Sequence, residues 1–233
     1  MMGKFASLSV FFPAYNEEAN IEKTVKKALA VLEKTVLQYE VIIVDDGSKD
    51  KTGEIADRLA LKNKNIKVIH HHPNKGYGEA LKSGFYQAKY PWIVFTDSDG
   101  QFDFSELPKL LEKTAKADLV VGYRLNRQDS LVRKINGFLW TSLNNLLLGI
   151  NVRDVDCAFK LIKKEVIDSI PRLESTRGGM ISPELLAKAH KKGFKIVEVG
   201  VHHYPRFAGE QTGANIKVII KSFIDLFKLW RSL

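Results

Sequence analysis

The chain has 233 residues, yet it contains one cysteine and no long uninterrupted apolar run. Because Cys157 stands alone, an internal disulfide and a cysteine-based zinc site are excluded, and a reducing compartment is indicated. A membrane-spanning helix needs about 18 or more largely apolar residues in a row, and no stretch reaches that length. The first apolar stretch meets Pro13 and then acidic residues, so we expect a first strand there rather than a signal peptide.

Acidic residues are too few to balance the basic ones. The chain has 27 aspartates and glutamates against 36 lysines and arginines, which gives a formal net charge of +9. This excess indicates an anionic partner, such as nucleotide phosphates, nucleic acid or an acidic membrane surface. The lysines are scattered rather than clustered, which disfavours a nucleic-acid-binding arm. We therefore predict no nucleic-acid partner.

Short aliphatic and aromatic runs alternate with helical patterns in the first half of the chain, which is typical of an α/β fold. The predicted strands are Leu8–Phe12, Val41–Val44, Ile66–Ile69, Ile93–Phe95 and Leu119–Val121. The predicted helices are Glu18–Glu33, Lys51–Leu61, Gly78–Lys89 and Ser105–Ala115, the last with Ser105 as N-cap. Strands separated in this way predict a mostly parallel, Rossmann-like sheet with right-handed crossovers, flanked by helices.

The pattern after Gly122 is less regular. We predict a helix over Leu131–Leu148, a strand in "CAFKLI" and a last strand in "KIVEVGV". A further helix is predicted over Ser182–Lys192, with Ser182 as its N-cap and Pro183 at its first position.

The sequence ends in an apolar helical pattern that starts at Ile216. One polar stripe runs along it, formed by Lys217, Lys221, Asp225, Lys228 and Ser232. Such a helix suits a membrane interface, and packing on the domain or on a second subunit explains it equally well. We assign residues 1–212 to one domain and residues 213–233 to this amphipathic helix.

Four polar clusters follow predicted strands: "PAYNEE", "DDGSKD", "HHHPNKGYGE" and "DSDGQFD". Ligands of open parallel sheets bind at the carboxyl ends of the strands. We therefore expect the four clusters to form one site at one edge of the sheet.

The most specific cluster places Asp97 and Asp99 one residue apart after an apolar strand, with Gln101 behind them. Two like charges at this spacing are unfavourable unless a cation lies between them, and Mg²⁺ or Mn²⁺ takes such oxygen ligands. The alternative is an ordinary Asp- and Gly-rich turn. An EF-hand loop would need glycine where Phe102 stands, and a haloacid dehalogenase phosphatase would carry threonine in place of Gln101, so both are disfavoured.

The other clusters are less specific. Asp45 and Asp46 suit hydrogen bonds to a nucleobase or ribose, or capping roles in a turn. Glu17 stands near a helix start, where the helix dipole favours an acid whatever the function. The glycines at 76, 78 and 84 lack the Gly-Lys-Ser/Thr of a phosphate loop. The histidines at 70–72 have no acidic or cysteine partner placed by the sequence, which disfavours a metal role.

In combination the motifs are specific. "FFPAYNEE", "VDDGSKD", "NKGYGEAL" and "DSDGQF", in this order, resemble the nucleotide-sugar-dependent glycosyltransferases of family 2, which have the GT-A fold. "VVGYR", "DVDCAFKL" and "HYPRFAGEQTG" are similar to the polyprenyl-phosphate branch, which includes dolichyl-phosphate mannose synthases and undecaprenyl-phosphate sugar transferases. The resemblance covers roughly residues 7 to 215.

The resemblance implies a donor site and a metal site. The residues that it places at the nucleoside diphosphate sugar are Pro13, Tyr15, Glu17, Asp45, Asp46, Lys75, Gly76 and Asp97. The residues that it assigns to Mg²⁺ or Mn²⁺ and the diphosphate are Asp97, Asp99 and Gln101.

The resemblance also implies an anionic acceptor, a polyprenyl phosphate, which needs cations to bind it and no strong general base. The candidate phosphate-binding residues are Arg124, Arg127, Arg133 and Arg206. Asp154 matches a family aspartate on the acceptor side, with Asp156 as a second choice. The expected catalytic set is Asp99, Asp154, Arg124 and Arg206.

The expected activity is inverting, metal-dependent transfer of a single hexose, from a donor of GDP-mannose or UDP-glucose type. The enzyme is expected at the cytoplasmic face of a membrane, held there by its helices or by a separate membrane-anchoring subunit. A glycosyltransferase with a glycan or protein hydroxyl acceptor, and a non-catalytic nucleotide-sugar-binding subunit, are the alternatives. A nucleotidyltransferase is disfavoured because its usual glycine-rich N-terminal loop is missing.

Overall fold

Short apolar runs form one mixed sheet in the computed structural model, which describes residues 3–125, 131–176, 178–206 and 216–233. The strands are β1 (Phe5–Ala14), β2 (Val36–Asp45), β3 (Ile66–His70), β4 (Trp92–Phe95), β5 (Leu119–Leu125), β6 (Lys160–Lys163) and β7 (Ile196–His202). The helices are α1 (Ile21–Thr35), α2 (Thr52–Lys62), α3 (Tyr77–Gln87), α4 (Leu107–Leu111), α5 (Leu131–Leu148), α6 (Lys164–Ser169), α7 (Gly178–Lys191) and α8 (Ile216–Ser232).

The order of the strands in the sheet is β3-β2-β1-β4-β6-β5-β7. Each neighbouring pair is parallel except the two that β6 forms with β4 and β5. The expected α/β class and mostly parallel sheet are therefore confirmed. The carboxyl ends of β1, β2 and β4 meet at one edge, because Ala14 pairs with Asp45 and Phe11 with Phe95.

Helices cover both faces of the sheet, and β1 shows how the two cores are divided. Phe11 belongs to the core that includes residues of α3, α5, α7 and α8, whereas Phe12 belongs to the core beneath α1, α2 and α4. Successive side chains of a strand point to opposite faces. A strand segment buried on both faces is therefore an unbroken apolar run, as Val10–Phe12 of β1 and Val41–Val44 of β2 are.

Two predicted helix starts are wrong. Ser105 is not an N-cap: the side chain of Asp103 accepts the backbone N–H of Ser105 instead, and a short 3₁₀ turn precedes α4. Helix α7 begins at Gly178, so Ser182 and Pro183 lie inside it. Pro183 is the sixth residue of α7, so it removes the intrahelical hydrogen bond that a backbone N–H at this position would donate to the carbonyl of Gly179.

Helix α8 packs on the domain with one face. Leu226 and Leu229 are buried in the core shared with α7, and Phe223 makes an edge-to-face contact with Trp140 of α5 at 5.5 Å. This face of the helix therefore packs on the domain, which was one of the alternatives to a membrane interface. The proposed boundary between residues 212 and 213 lies outside the described residues. No helix in the described ranges is long and apolar enough to cross a membrane.

The packing of α3 against β1 generates a stability prediction. A Cβ atom on Gly84 would lie 2.3 Å from the ring of Phe11, which also contacts Phe85 edge-to-face at 5.0 Å. Alanine is the better helix former by about 1 kcal/mol, but the collision outweighs it. We expect Gly84→Ala to lower the free energy of unfolding by about 2 kcal/mol in urea titrations.

Gly179→Ala is the matched control for this variant. Gly179 is also helical, and its added Cβ would meet its nearest neighbour, the hydroxyl of Ser222, at 3.4 Å. The control is expected to keep or slightly raise the free energy of unfolding. Equal stability of Gly84→Ala and the native protein would contradict the packing described for Phe11.

Candidate active site

The carboxyl ends of β1, β2 and β4 border a cavity of about 410 Å³. Six of the eight predicted donor-site residues line it: Pro13, Tyr15, Glu17, Asp46, Gly76 and Asp97. Asp99, predicted as a metal ligand, and Arg206, predicted at the acceptor phosphate, line the same cavity. The structure thus brings together residues that are up to about 190 positions apart in sequence. Asp45 and Lys75 adjoin this lining without belonging to it.

Two carboxyl groups after β4 dominate the electrostatics of this cavity. Burial and the charge of Asp99 raise the pKa of Asp97 to about 7. Burial also raises the pKa of Asp99. The hydroxyl of Tyr77 donates a hydrogen bond of 2.6 Å to Asp97, and the backbone N–H of Gln101 donates one of 3.0 Å to Asp99. The unfavourable like-charge pair expected from the sequence is therefore present.

Arg206 brings a positive charge to this acidic site. Its guanidinium forms an ion pair with Glu17 and lies 3.9 Å from a carboxylate oxygen of Asp99. Burial raises the pKa of Glu17, while Asn20 and Arg206 oppose that effect. The arginine comes from the segment after β7, so the two halves of the chain meet here.

Gln101 connects the acidic turn to the segment that carries Arg206. Its side-chain amide donates to the carbonyl of Tyr204 at 3.0 Å, and the backbone N–H of Tyr204 donates back to the carbonyl of Gln101 at 2.8 Å. These bonds place the segment of Arg206 beside Asp99. The role of Gln101 as a metal ligand stays a prediction.

The carboxylate of Asp46 holds the glycine loop, defined as residues 74–78, which lines the cavity. It accepts the backbone N–H groups of Lys75 at 2.9 Å and Gly76 at 2.8 Å. A ring nitrogen of His71 lies 2.6 Å from the same carboxylate, and the other ring nitrogen lies 2.8 Å from the hydroxyl of Ser83. Asp46 therefore shapes the loop as well as lining the cavity.

Asp45 is held in a similar way, one residue earlier. One of its oxygens accepts the backbone N–H of Ser48 at 3.1 Å, and the other lies 3.0 Å from a ring nitrogen of His70. The second ring nitrogen of His70 lies 3.1 Å from Asp57. Although burial lowers the pKa of His70, the two aspartates raise it above its usual value. Contact between Asp45 and a nucleoside remains a prediction.

Sequence reasoning missed Tyr77, His70 and His71. Tyr77 was passed over as part of a weak glycine motif, and the histidines were considered only as metal ligands without acidic partners. Their partners follow other strands, so only the sheet brings them together. The polar cluster after each of the first four predicted strands is the one signal available in the sequence.

A second polar pair lies at the end of β5. The guanidinium of Arg124 donates two hydrogen bonds to the carboxylate of Asp154, at 2.6 and 2.7 Å. Burial alone would lower the pKa of Arg124, but Asp154 raises it further above its usual value. Arg133 lies on α5, and Arg127 lies outside the described residues.

The acidic turn fits a divalent cation in charge and in ligand type. Asp97 and Asp99 offer hard oxygen ligands, and burial together with the charge of Asp99 raises the pKa of Asp97, which a nearby cation would lower. No group of three or more histidine, cysteine, aspartate or glutamate side chains arranged for a metal occurs among the described residues.

Comparison with known proteins places these features in a family. Residues 9–170 match the family described as glycosyl transferase family 2. An uncharacterized protein of Methanocaldococcus jannaschii is 34% identical over 93% of this chain and 97% of its own length. A dolichyl-phosphate beta-glucosyltransferase of Trichomonas vaginalis is 30% identical over 95% of this chain and 72% of its own length.

The fold also matches a solved structure. It is glucosyl-3-phosphoglycerate synthase of Mycobacterium tuberculosis in complex with Mn²⁺, uridine diphosphate and glucosyl-3-phosphoglycerate. The TM-score is 0.70, with 21% sequence identity over 96% of this chain and 80% of that one. This similarity supports the GT-A fold.

The raised pKa of Asp97 generates a stability prediction for the protein without metal. A carboxyl group whose pKa is raised on folding adds stability that is complete below its ordinary pKa of 3.8 and is lost as the pH rises to about 7. Asp97→Asn removes the buried charge and keeps an acceptor for Tyr77. We expect this variant to be more stable at pH 8, by on the order of 2 kcal/mol in urea titrations, with no gain at pH 4.

Asp118→Asn serves as a control for which the opposite change in the free energy of unfolding is expected. The carboxylate of Asp118 lies 2.6 Å from the ammonium of Lys163. Burial would raise its pKa, but Lys163 and the backbone of Lys195 hold it below the usual value. This control should lose stability at pH 8. A loss in Asp97→Asn as well would refute the repulsion described at the acidic turn.

Proposed function

The chain belongs to glycosyl transferase family 2, and we propose that it transfers a single hexose from a nucleoside diphosphate sugar to a polyprenyl phosphate. The observation that carries the proposal is the paired carboxyls of Asp97 and Asp99, which line a cavity together with Arg206. The relative named as a dolichyl-phosphate beta-glucosyltransferase supports the acceptor class.

The cavity suits the diphosphate and sugar of the donor. A divalent cation, Mg²⁺ or Mn²⁺, held by Asp97 and Asp99 would neutralise charge on the departing nucleoside diphosphate. Gly76 brings backbone into the lining of the cavity, and a glycine loop allows close approach of phosphate oxygens. The donor is of GDP-mannose or UDP-glucose type.

The sequence predicts Arg206 at the acceptor phosphate; because it lines the same cavity as the acidic pair, we propose instead that it supports the leaving group. In the structure its guanidinium pairs with Glu17 and approaches Asp99. An arginine fork also matches the oxygens of a diphosphate. When the donor is bound, Arg206 shares its hydrogen bonds between the protein carboxylates and the diphosphate, and it stabilises the negative charge that develops as the glycosidic bond breaks.

The acceptor side is assigned to the pair of Arg124 and Asp154. An oxygen of the lipid phosphate attacks the anomeric carbon, the bond to the diphosphate breaks with its electron pair, and the configuration inverts. The phosphate is already anionic, so it needs no strong base. Asp154 orients Arg124 through two hydrogen bonds, and Arg124 keeps further N–H groups for the phosphate. Arg127 and Arg133 are further candidates on this side.

A hydroxyl acceptor is the second candidate, since the structural neighbour is a glucosyl-3-phosphoglycerate synthase. Such a reaction calls for a general base. Both oxygens of Asp154 already accept hydrogen bonds from Arg124, which makes this carboxylate a poor base. This observation favours the lipid phosphate. A non-catalytic subunit is disfavoured because the acidic pair and Arg206 lie in one cavity.

The place of action that we propose is the cytoplasmic face of a membrane. Helices α5 and α8 expose a set of large apolar side chains: Leu131, Val132, Ile135, Phe138, Leu139, Leu146, Phe223, Ile224, Phe227 and Trp230. The contact between Trp140 and Phe223 makes these two helices neighbours. Helix α5 contains Arg133 and Lys134 and no acidic residue, which suits an anionic bilayer. A membrane-anchoring subunit is the alternative partner for this surface.

The transfer itself can be tested with purified protein, Mn²⁺ or Mg²⁺, a panel of labelled nucleoside diphosphate sugars and polyprenyl phosphate. We expect one sugar to enter the lipid fraction in the presence of metal. Asp99→Ala should reduce this transfer at least about a hundredfold, because a ligand of the diphosphate-bound metal is lost. Its circular dichroism should stay native.

Two outcomes would count against the proposal. Folded native protein that labels no polyprenyl phosphate with any donor would remove the lipid acceptor, and labelling of a soluble hydroxyl acceptor would favour the second candidate. Full activity of Asp99→Ala would dismiss the assignment of the metal site.

Membrane contact can be tested by co-sedimentation with vesicles containing anionic phospholipid. Phe138 and Phe227 are 69% and 51% exposed, and burial of each ring contributes about 1.5 to 3 kcal/mol. The double variant Phe138→Glu and Phe227→Glu should therefore bind at least about tenfold more weakly. Leu61→Glu is the matched control, because Leu61 is 88% exposed on α2, which covers the other face of the sheet. Equal binding by the double variant would exclude this surface.

A further inference from the structure

The strap, defined as residues 171–176, crosses from the end of α6 to the N-terminus of α3. The carbonyl of Thr176 accepts the backbone N–H of Gly78 at 3.0 Å, and the backbone N–H of Leu173 donates to the hydroxyl of Tyr86 at 3.0 Å. The ammonium of Lys82, on α3, also donates to the carbonyl of Glu174 at 3.5 Å. The strap is therefore joined to α3 at three points, one of them in the first turn beside the cavity.

The approach between the strap and the glycine loop is closer than any side chain would permit. A Cβ atom on Gly78 would lie 2.6 Å from the carbonyl oxygen of Ser175, and one on Gly76 would lie 3.0 Å from the carbonyl oxygen of Thr176. These contacts are backbone to backbone, so they cannot be relieved by rotation of a side chain. The position of the strap thus sets the position of the loop that lines the cavity.

A buried carboxylate holds the strap from the opposite side. Glu184 lies inside α7 and is 1% exposed. One of its oxygens accepts the backbone N–H of Glu174 and the other that of Ser175, each at 2.8 Å. The ammonium of Lys188 donates to the same carboxylate at 2.6 Å. Burial alone would raise the pKa of Glu184, but these hydrogen bonds hold it below its usual value.

We propose that Glu184 is a positioning residue of the donor site: it fixes the strap, and the strap fixes the backbone of Gly76 and Gly78 against the donor diphosphate. The inference rests on the proposed function, because it takes the cavity to be the donor site. Glu184 does not line that cavity, so its influence passes through the backbone of the strap.

A purely structural role for Glu184 makes a different prediction, and the chain supplies a control for it. Glu40 is also 1% exposed, and it accepts a backbone N–H, that of Lys89, at 2.8 Å. It lies on β2 five residues before Asp45, about 16 Å along the strand from the edge of the sheet that carries the cavity. Glu184→Gln and Glu40→Gln should both lower the melting temperature, since each disturbs a buried carboxylate.

The decisive measurements are amide hydrogen exchange of the protein without ligand and calorimetric titration with UDP or GDP in the presence of Mn²⁺. In Glu184→Gln the amide of Ser175 should exchange faster, and so should that of Gly78, which lies in a different segment and donates its N–H to the carbonyl of Thr176 in the strap. The dissociation constant of the nucleotide should rise about tenfold, because the loop is misplaced. Glu40→Gln should change neither quantity.

Each result separates this inference from the proposed function. If the native protein binds neither nucleotide, the cavity is not the donor site, and the positioning role of Glu184 is wrong as well. If the native protein binds and Glu184→Gln binds equally well, with unchanged exchange at Gly78, the positioning role alone is wrong. Faster exchange at Gly78 together with weaker binding, both absent in Glu40→Gln, supports it.

Discussion

The repulsion between Asp97 and Asp99 is the constraint on which the rest of the site depends. Two carboxyl groups at the end of a buried strand cannot both ionise without cost, and burial together with the charge of Asp99 raises the pKa of Asp97. The fold offsets part of it through the hydroxyl of Tyr77 and the guanidinium of Arg206. A divalent cation bound by the two carboxylates would compensate the remaining negative charge, and the cation would in turn attract the anionic diphosphate.

The groups around the acidic pair are positioned by hydrogen bonds to neighbouring elements of the fold. Asp46 and His71 hold the glycine loop from the side of β2, while Gln101, in the turn after β4, holds the segment of Arg206 that follows β7. The strap supports the same glycine loop from the side of α7. A site built on loops gains precision when each loop is tied to a neighbouring element, and here backbone N–H groups provide most of these ties.

Donor and acceptor functions are assigned to different parts of the sheet. The cavity lies at the ends of β1, β2 and β4, whereas Arg124 ends β5 and pairs with Asp154 on the connection before β6. The buried ammonium of Lys160 donates to the carbonyl of Val155, next to Asp154, at 3.2 Å, which ties this connection to the sheet. The exposed apolar side chains of α5 and α8 would give a lipid acceptor a surface on which to approach.

The sequence by itself determined the α/β class, the strands of the parallel half and the acidic turn after β4, because these depend on local apolar runs and on turn residues next to one another. The bounds of α5, Leu131–Leu148, were also predictable from its pattern. The start of α7 was not predictable in this way. Ser182 and Pro183 have the residue types of a helix start, whereas in the folded protein the helix already begins at Gly178. Pairings such as Arg206 with Glu17, Arg124 with Asp154 and Glu184 with the strap were decided by the tertiary structure alone. The sheet order sets which strand ends meet, and nothing in the spacing of charged residues along a chain records that order.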